Sequence, residues 1–133
     1  MTKTNEELFD KGLGIRREVL GAKYVDPNME RAKTDDFTGT IQDMVTEYCW
    51  GYGWGRDGLD KRTRSMLTLT LLTVLGKMTE LKAHTRGALH NGVTVDEIKE
   101  VLLHATIYAG IPAGVDAFRN AKEAIEAYEK DQD

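Results

Sequence analysis

Apolar side chains recur along this chain at the three-and-four spacing of an α-helix, and almost nowhere at the alternating spacing of a strand. Thr4-Asn-Glu-Glu7 has the pattern of a capping box and opens a first helix that runs to about Leu20 and closes at Gly21. Asp26-Pro27 predicts a short helix through Arg31, with the carboxylate as cap and the proline in the first turn. From Asp36 onward, Phe37, Ile41, Met44, Val45 and Tyr48 make one inward face of a helix ending near Trp50. Four glycines between Gly51 and Gly58 then predict a loop, one that carries two large aromatics and charge and so reads as functional.

Asp60 caps the next predicted helix, whose run Met66 to Leu75 is apolar on most faces and stops at Gly76. Leu67, Leu69 and Leu71 alternate with threonine there, but a single strand would have no sheet to join, so the helix reading stands. Leu81, His84, Ala88 and Leu89 line one face of a helix ending at Asn91-Gly92, and Thr94-Val-Asp-Glu97 is a second capping box. It opens a helix with Ile98, Val101, Leu102, Ala105 and Tyr108 inward. After Gly110-Ile-Pro112 a last helix, from about Ala113 to Tyr128, turns Val115, Phe118, Ala121 and Ile125 to the core. The pattern predicts an all-α fold of about six helices forming a single domain over residues 1–133.

Composition narrows the function. With 41% hydrophobic and 30% charged residues the chain reads as globular, with no apolar run of membrane-spanning length and a polar, acidic start unlike a secretory signal. The expected setting is the cytoplasm. A net charge of −4 with no basic tract argues against nucleic acid as a partner. The one cysteine, Cys49, allows neither an intrachain disulfide nor CxxC redox chemistry, and reads as a buried structural thiol. Three histidines without paired spacing do not make a zinc motif, so no metal is expected. Gly53-Trp-Gly55-Arg-Asp-Gly58 matches GxGxxG but follows a helix instead of a strand, which removes the context of a dinucleotide site.

Among chemically capable residues, His84 stands on an inward face and reads two ways, as a satisfied core histidine or as a general acid or base. Glu80, one turn earlier, could orient it or could be one of an exposed helical pair. Arg56, Arg62, Arg64 and Arg86 are the cations near this region, and any one could clamp a substrate carboxylate in a bidentate fork. Glu47, Trp50 and Trp54 cluster where a helix meets the glycine loop, and two tryptophans so close read as core or interface residues sooner than catalytic ones. His90 and His104 read as surface or capping residues.

Taken in order, several blocks resemble the γ-carboxymuconolactone decarboxylases and span nearly the whole chain. They are Gly14-Ile-Arg-Arg-Glu-Val-Leu-Gly21, Trp50 to Asp60, Thr63-Arg-Ser65, Glu80 to Ala88, Asn91-Gly-Val-Thr94, Glu97 to Leu103 and Tyr108 to Ala113. The first two are the more specific; the histidine half is shared by a superfamily that includes AhpD-like redox proteins. Those carry a CxxC pair where Lys77 and Glu80 stand here, so the resemblance points away from the redox branch. It implies an AhpD-like helical domain in a ring-shaped homo-oligomer, a trimer of dimers, acting without a cofactor on a small carboxylated lactone. It further implies a pocket near His84, with His84 as proton donor, Glu47 or Glu80 orienting it, Arg64 or Arg86 anchoring the substrate and Trp50 and Trp54 beside the departing carboxylate.

Overall fold

The computed structural model describes residues 3–132, and among these it contains seven α-helices, one π-helical segment and no strand. The chain divides into two compact units, Met1–Leu59 and Asp60–Asp133.

The first unit holds α1 (Glu6–Leu20), α2 (Ala22–Lys33), α3 (Asp36–Met44) and the π segment (Val45–Gly53). Asn5, and not Thr4, caps α1, accepting a hydrogen bond from the Leu8 N–H. Thr4 is engaged elsewhere, by Glu47. The helix expected at Asp26-Pro27 starts earlier, at Ala22, so Pro27 lies inside it and removes one backbone bond without ending it. Asp26 is not a cap; it pairs with Arg17 at 2.7 Å.

The predicted helix from Asp36 changes at Val45 into a π-helix, which runs three residues past Trp50 and absorbs part of the expected loop. The glycines there serve close packing more than flexibility. A Cβ on Gly51 would press on the Leu8 carbonyl, and one on Gly12 of α1 would collide with the Thr46 carbonyl. Two small clusters, Phe9 with Val25 and Met29, and Val19 with Trp50 and Trp54, form the unit's core. The face predicted to turn inward does not: Phe37 is 90% exposed, and Ile41, Met44 and Tyr48 are exposed with it.

The second unit holds α4 (Lys61–Leu75), α5 (Met78–His90), α6 (Val95–Ala109) and α7 (Ile111–Asp131). Its caps follow the sequence. Asp60 accepts from the Thr63 N–H, Gly76 takes the left-handed conformation that ends α4, and Thr94 with Glu97 completes a capping box. Leu69, Leu81, Ala88, Ile98, Leu102, Ala117 and Ala121 make one core cluster. Not every apolar face enters it. Leu67, Leu71, Val74 and Leu75 of α4 are exposed, as are Tyr108 and Val115, which the helical pattern had placed inside. Periodicity reports that a face is apolar; it does not report whether the same chain covers it.

Candidate functional site

Helix α5 is fixed in the second unit by its buried side chains Leu81, Thr85 and Ala88. Thr85 donates its hydroxyl hydrogen bond to the Leu81 carbonyl at 2.7 Å, so it presents no free polar group to the core. Beside this buried strip His84 is half-buried, and its Nδ1 is shielded from solvent. A histidine so placed keeps one edge of the ring toward the protein and part of it accessible, which suits proton exchange with a small molecule. Glu80 lies one turn earlier on the same helix face and is exposed.

Arg64 sits in the first turn of α4, the helix that packs on α5, and is half-buried with its Nε shielded. The two helices are tied at their ends by Asn91, whose Nδ2 donates to Ser65 Oγ at 3.1 Å. Arg86 points elsewhere. Its Nη2 pairs with Asp131 of α7 at 2.9 Å, which makes it part of a surface ion pair that joins α5 to the C-terminal helix. Arg62 is likewise engaged, with Glu97, whose carboxyl is held down at about 2, chiefly by that guanidinium and then by the Thr94 N–H. Of the expected residues, His84 and Glu80 thus lie on α5 and Arg64 on α4, the helix packed against it, while Arg86 has another partner.

Glu47, Trp50 and Trp54 belong to the first unit. Glu47 is buried, and its two carboxylate oxygens accept from Thr4 N at 2.6 Å, Thr4 Oγ1 at 2.9 Å and Asn5 N at 3.0 Å. The Asn5 N–H foremost, with the Thr4 hydroxyl, holds its carboxyl below the usual carboxylate range. These bonds anchor the start of α1 to the π segment. Trp50 and Trp54 stack at 4.8 Å between centroids, and both are buried, Trp50 more deeply. Their large surfaces supply core against Val19.

Cys49 is exposed on the π segment, contrary to the expectation of a buried thiol. Desolvation pushes the thiol up, and the Arg16 guanidinium opposes that shift. His90 and His104 are exposed, the latter against the Tyr108 ring. Among the described residues no three His, Cys, Asp or Glu side chains gather where they could hold a metal ion. Among the described residues no helix is long and apolar enough to cross a membrane.

One charged residue escaped the sequence reading. Arg16 in the first specific block is only 8% exposed, and the block's spacing alone carries no sign of that. The usable signal was its position: Phe9, Gly12, Arg16 and Val19 share the buried face of α1.

The chemistry these groups can perform is anchoring of an anion and delivery of one proton. Comparison with known proteins adds the substrate context. Residues 40–123 match the model of the carboxymuconolactone decarboxylase family. The chain is 40% identical to a 4-carboxymuconolactone decarboxylase of Acinetobacter baylyi, over 92% of this chain and 90% of that protein. It is 45% identical to a nitrosuccinic acid decarboxylase of Metarhizium robertsii, over 92% of this chain and 87% of the other. An uncharacterized 15.0 kDa protein of Paracoccus denitrificans is 31% identical over 85% of the chain.

Proposed function

We propose that this chain, which belongs to the carboxymuconolactone decarboxylase family, converts 4-carboxymuconolactone into 3-oxoadipate enol-lactone and carbon dioxide in protocatechuate breakdown. The observation that carries this reading is 40% identity over almost the full length of a protein with that named activity. In this substrate the γ carbon of an unsaturated lactone bears both the leaving carboxylate and a carboxymethyl arm. As the bond to the carboxylate breaks, its electron pair moves through the ring double bond into the lactone carbonyl, and carbon dioxide departs. A proton delivered to the α carbon completes the enol-lactone. The lactone is its own electron sink, so the reaction as written draws on no cofactor.

His84 is the proton donor in this account, oriented by Glu80 one helical turn away. A positioned acid contributes about 10²- to 10⁴-fold. Arg64 anchors the carboxymethyl arm as a bidentate fork. Glu47 is left as the anchor of α1, because both its oxygens are engaged there, and Arg86 as the partner of Asp131. Trp50 and Trp54 contribute as the packed core of the first unit. The protein works in the cytoplasm as a single-domain subunit of a ring-shaped homo-oligomer, a trimer of dimers. The exposed apolar faces of α3, α4 and α6 support association.

A second reading has its own support in the 45% identity to a nitrosuccinic acid decarboxylase. Loss of the carboxylate beside a nitro group leaves the electrons in a nitronate, which also needs only a proton. Both substrates are small dicarboxylates with a built-in sink, so one site of this kind suits either. Following carbon dioxide release from each at equal concentration decides the matter: kcat/KM higher by at least ~10-fold on the lactone, a difference of about 1.4 kcal/mol, supports the first reading, and the reverse order replaces it with the second.

A further inference from the structure

Among the described residues Arg16 is a buried cation that pairs with no carboxylate. Its three hydrogen bonds there all leave from Nη1, to Gln42 Oε1 at 2.9 Å, to Thr46 Oγ1 at 3.4 Å and to the Met29 sulfur at 3.4 Å. These acceptors are neutral. Nε is buried and makes no hydrogen bond among the described residues, and the titratable groups that favour its charge are Tyr24 and Cys49. A guanidinium stays charged in a protein, so its burial carries an uncompensated desolvation penalty. A buried polar group left unsatisfied in this way calls for a specific explanation, an unseen ion among them.

The geometry of what is unused narrows the explanation. With Nη1 held by the protein, the remaining edge of the fork is Nε with Nη2, which takes a carboxylate through two parallel bonds. Met29, whose sulfur meets Nη1, also lines a cavity of about 710 Å³ among α1, α2 and α3, a size that holds a small molecule; Arg16 itself does not line it, so an anion reaches the guanidinium only when Met29 moves. Methionine is the apolar side chain best able to swing aside. On the rim, Lys3, Arg17 and Lys33 are already paired with Glu6, Asp26 and Glu30, and Asp36 and Asp43 disfavour anions there. The unmatched positive charge is therefore the one inside. We propose that the first unit contains an anion site in which the Nε–Nη2 edge of Arg16 grips a small carboxylate.

The choice of ligand class rests on the decarboxylase reading, and succinate serves as probe because it has two carboxylates and no electron sink. Thermal melting of the full chain is followed against succinate, against sodium chloride at matched ionic strength, and against inorganic phosphate. The site predicts a saturable rise in Tm with succinate that chloride does not reproduce and that phosphate does not exceed. Arg16→Met, which removes the charge but keeps the bulk, should abolish that rise and melt no lower than the wild type in anion-free buffer. If Arg16 is only a structural stitch, Arg16→Met melts lower and the wild type shows no saturable shift. Should Arg16→Met not fold, the Nε–H proton resonance of the wild type, assigned by its loss in Arg16→Lys, must move on adding succinate. No movement, an equal Tm shift in Arg16→Met, or a larger shift with phosphate each overturns the proposal. Turnover without any Arg16-dependent binding removes this site and leaves the decarboxylase reading; binding through Arg16 in a protein that decarboxylates neither substrate does the opposite.

Discussion

Glu47, buried in the π segment, accepts hydrogen bonds from both the backbone N–H and the hydroxyl of Thr4, 43 positions away in the chain. A carboxylate that would be expensive to bury alone is satisfied by the groups that begin α1, so the start of that helix and the π segment hold each other in place. Glu47→Gln replaces an acceptor-only group by an amide that must turn one N–H toward donors. We expect a lower melting temperature with kcat per folded molecule within about twofold of wild type, whereas a positioned catalytic acid would be worth ~10² or more. A large loss of kcat in a variant that melts normally would return Glu47 to the catalytic machinery.

The capping box of α6 predicts an acid-sensitive contribution to the stability of the second unit. Glu97 has its folded carboxyl held at about 2 against an ordinary 4.5, first by Arg62 and then by Thr94. A depressed carboxyl contributes stability that is complete above the unfolded value and fades as pH falls toward the folded one. Unfolding midpoints in denaturant should therefore decline between about pH 5 and pH 2 in the wild type, and decline less in Glu97→Gln. Parallel curves for the two proteins would show that this carboxylate does not set the acid limit. Thr94→Ala, which removes the cap itself, should cost about 1 kcal/mol at neutral pH.

At Gly12 the backbone of α1 approaches the π segment so closely that a Cβ would collide with the Thr46 carbonyl, which cannot move without disturbing its own helix. Gly12→Ala should lower stability by at least about 1 kcal/mol, although alanine is the better helix former. A variant as stable as the wild type by chemical denaturation would mean that the two segments separate readily.

The exposed apolar stripes of α3 and α4 predict self-association. Light scattering at micromolar concentration should give a mass several times 14.9 kDa, and Phe37→Asp or Leu71→Asp should reduce it. A wild-type monomer would contradict the homo-oligomer.

Much of the fold is legible in the sequence where the cause is local. Asp60, Gly76, Thr94 with Glu97 and Gly92 mark helix ends because a cap or a left-handed turn needs only its immediate neighbours. The failures are non-local. Thr4 fits a capping box until Glu47 takes its hydroxyl. The glycines after Trp50 look like a loop, and only the nearness of Leu8 explains Gly51 inside a π-helix. Phe37, Tyr108 and Val115 have core periodicity yet lie exposed, since periodicity reports that a face is apolar and not whether the chain itself covers it. For the candidate site, the sequence places His84 and Glu80 on one face because both belong to one helix. The partners of Arg86 and Glu47, and the burial of Arg16, depend on segments that meet only in the folded chain.

The central claim is that His84 delivers the proton, and the turnover of 4-carboxymuconolactone by folded His84→Gln tests it most directly. Glutamine keeps the bulk and a hydrogen bond but cannot give up a proton at useful rate, so kcat should fall by ~10² or more with the helical circular dichroism and melting temperature close to wild type. A folded His84→Gln protein that turns over at near the wild-type rate would contradict the account.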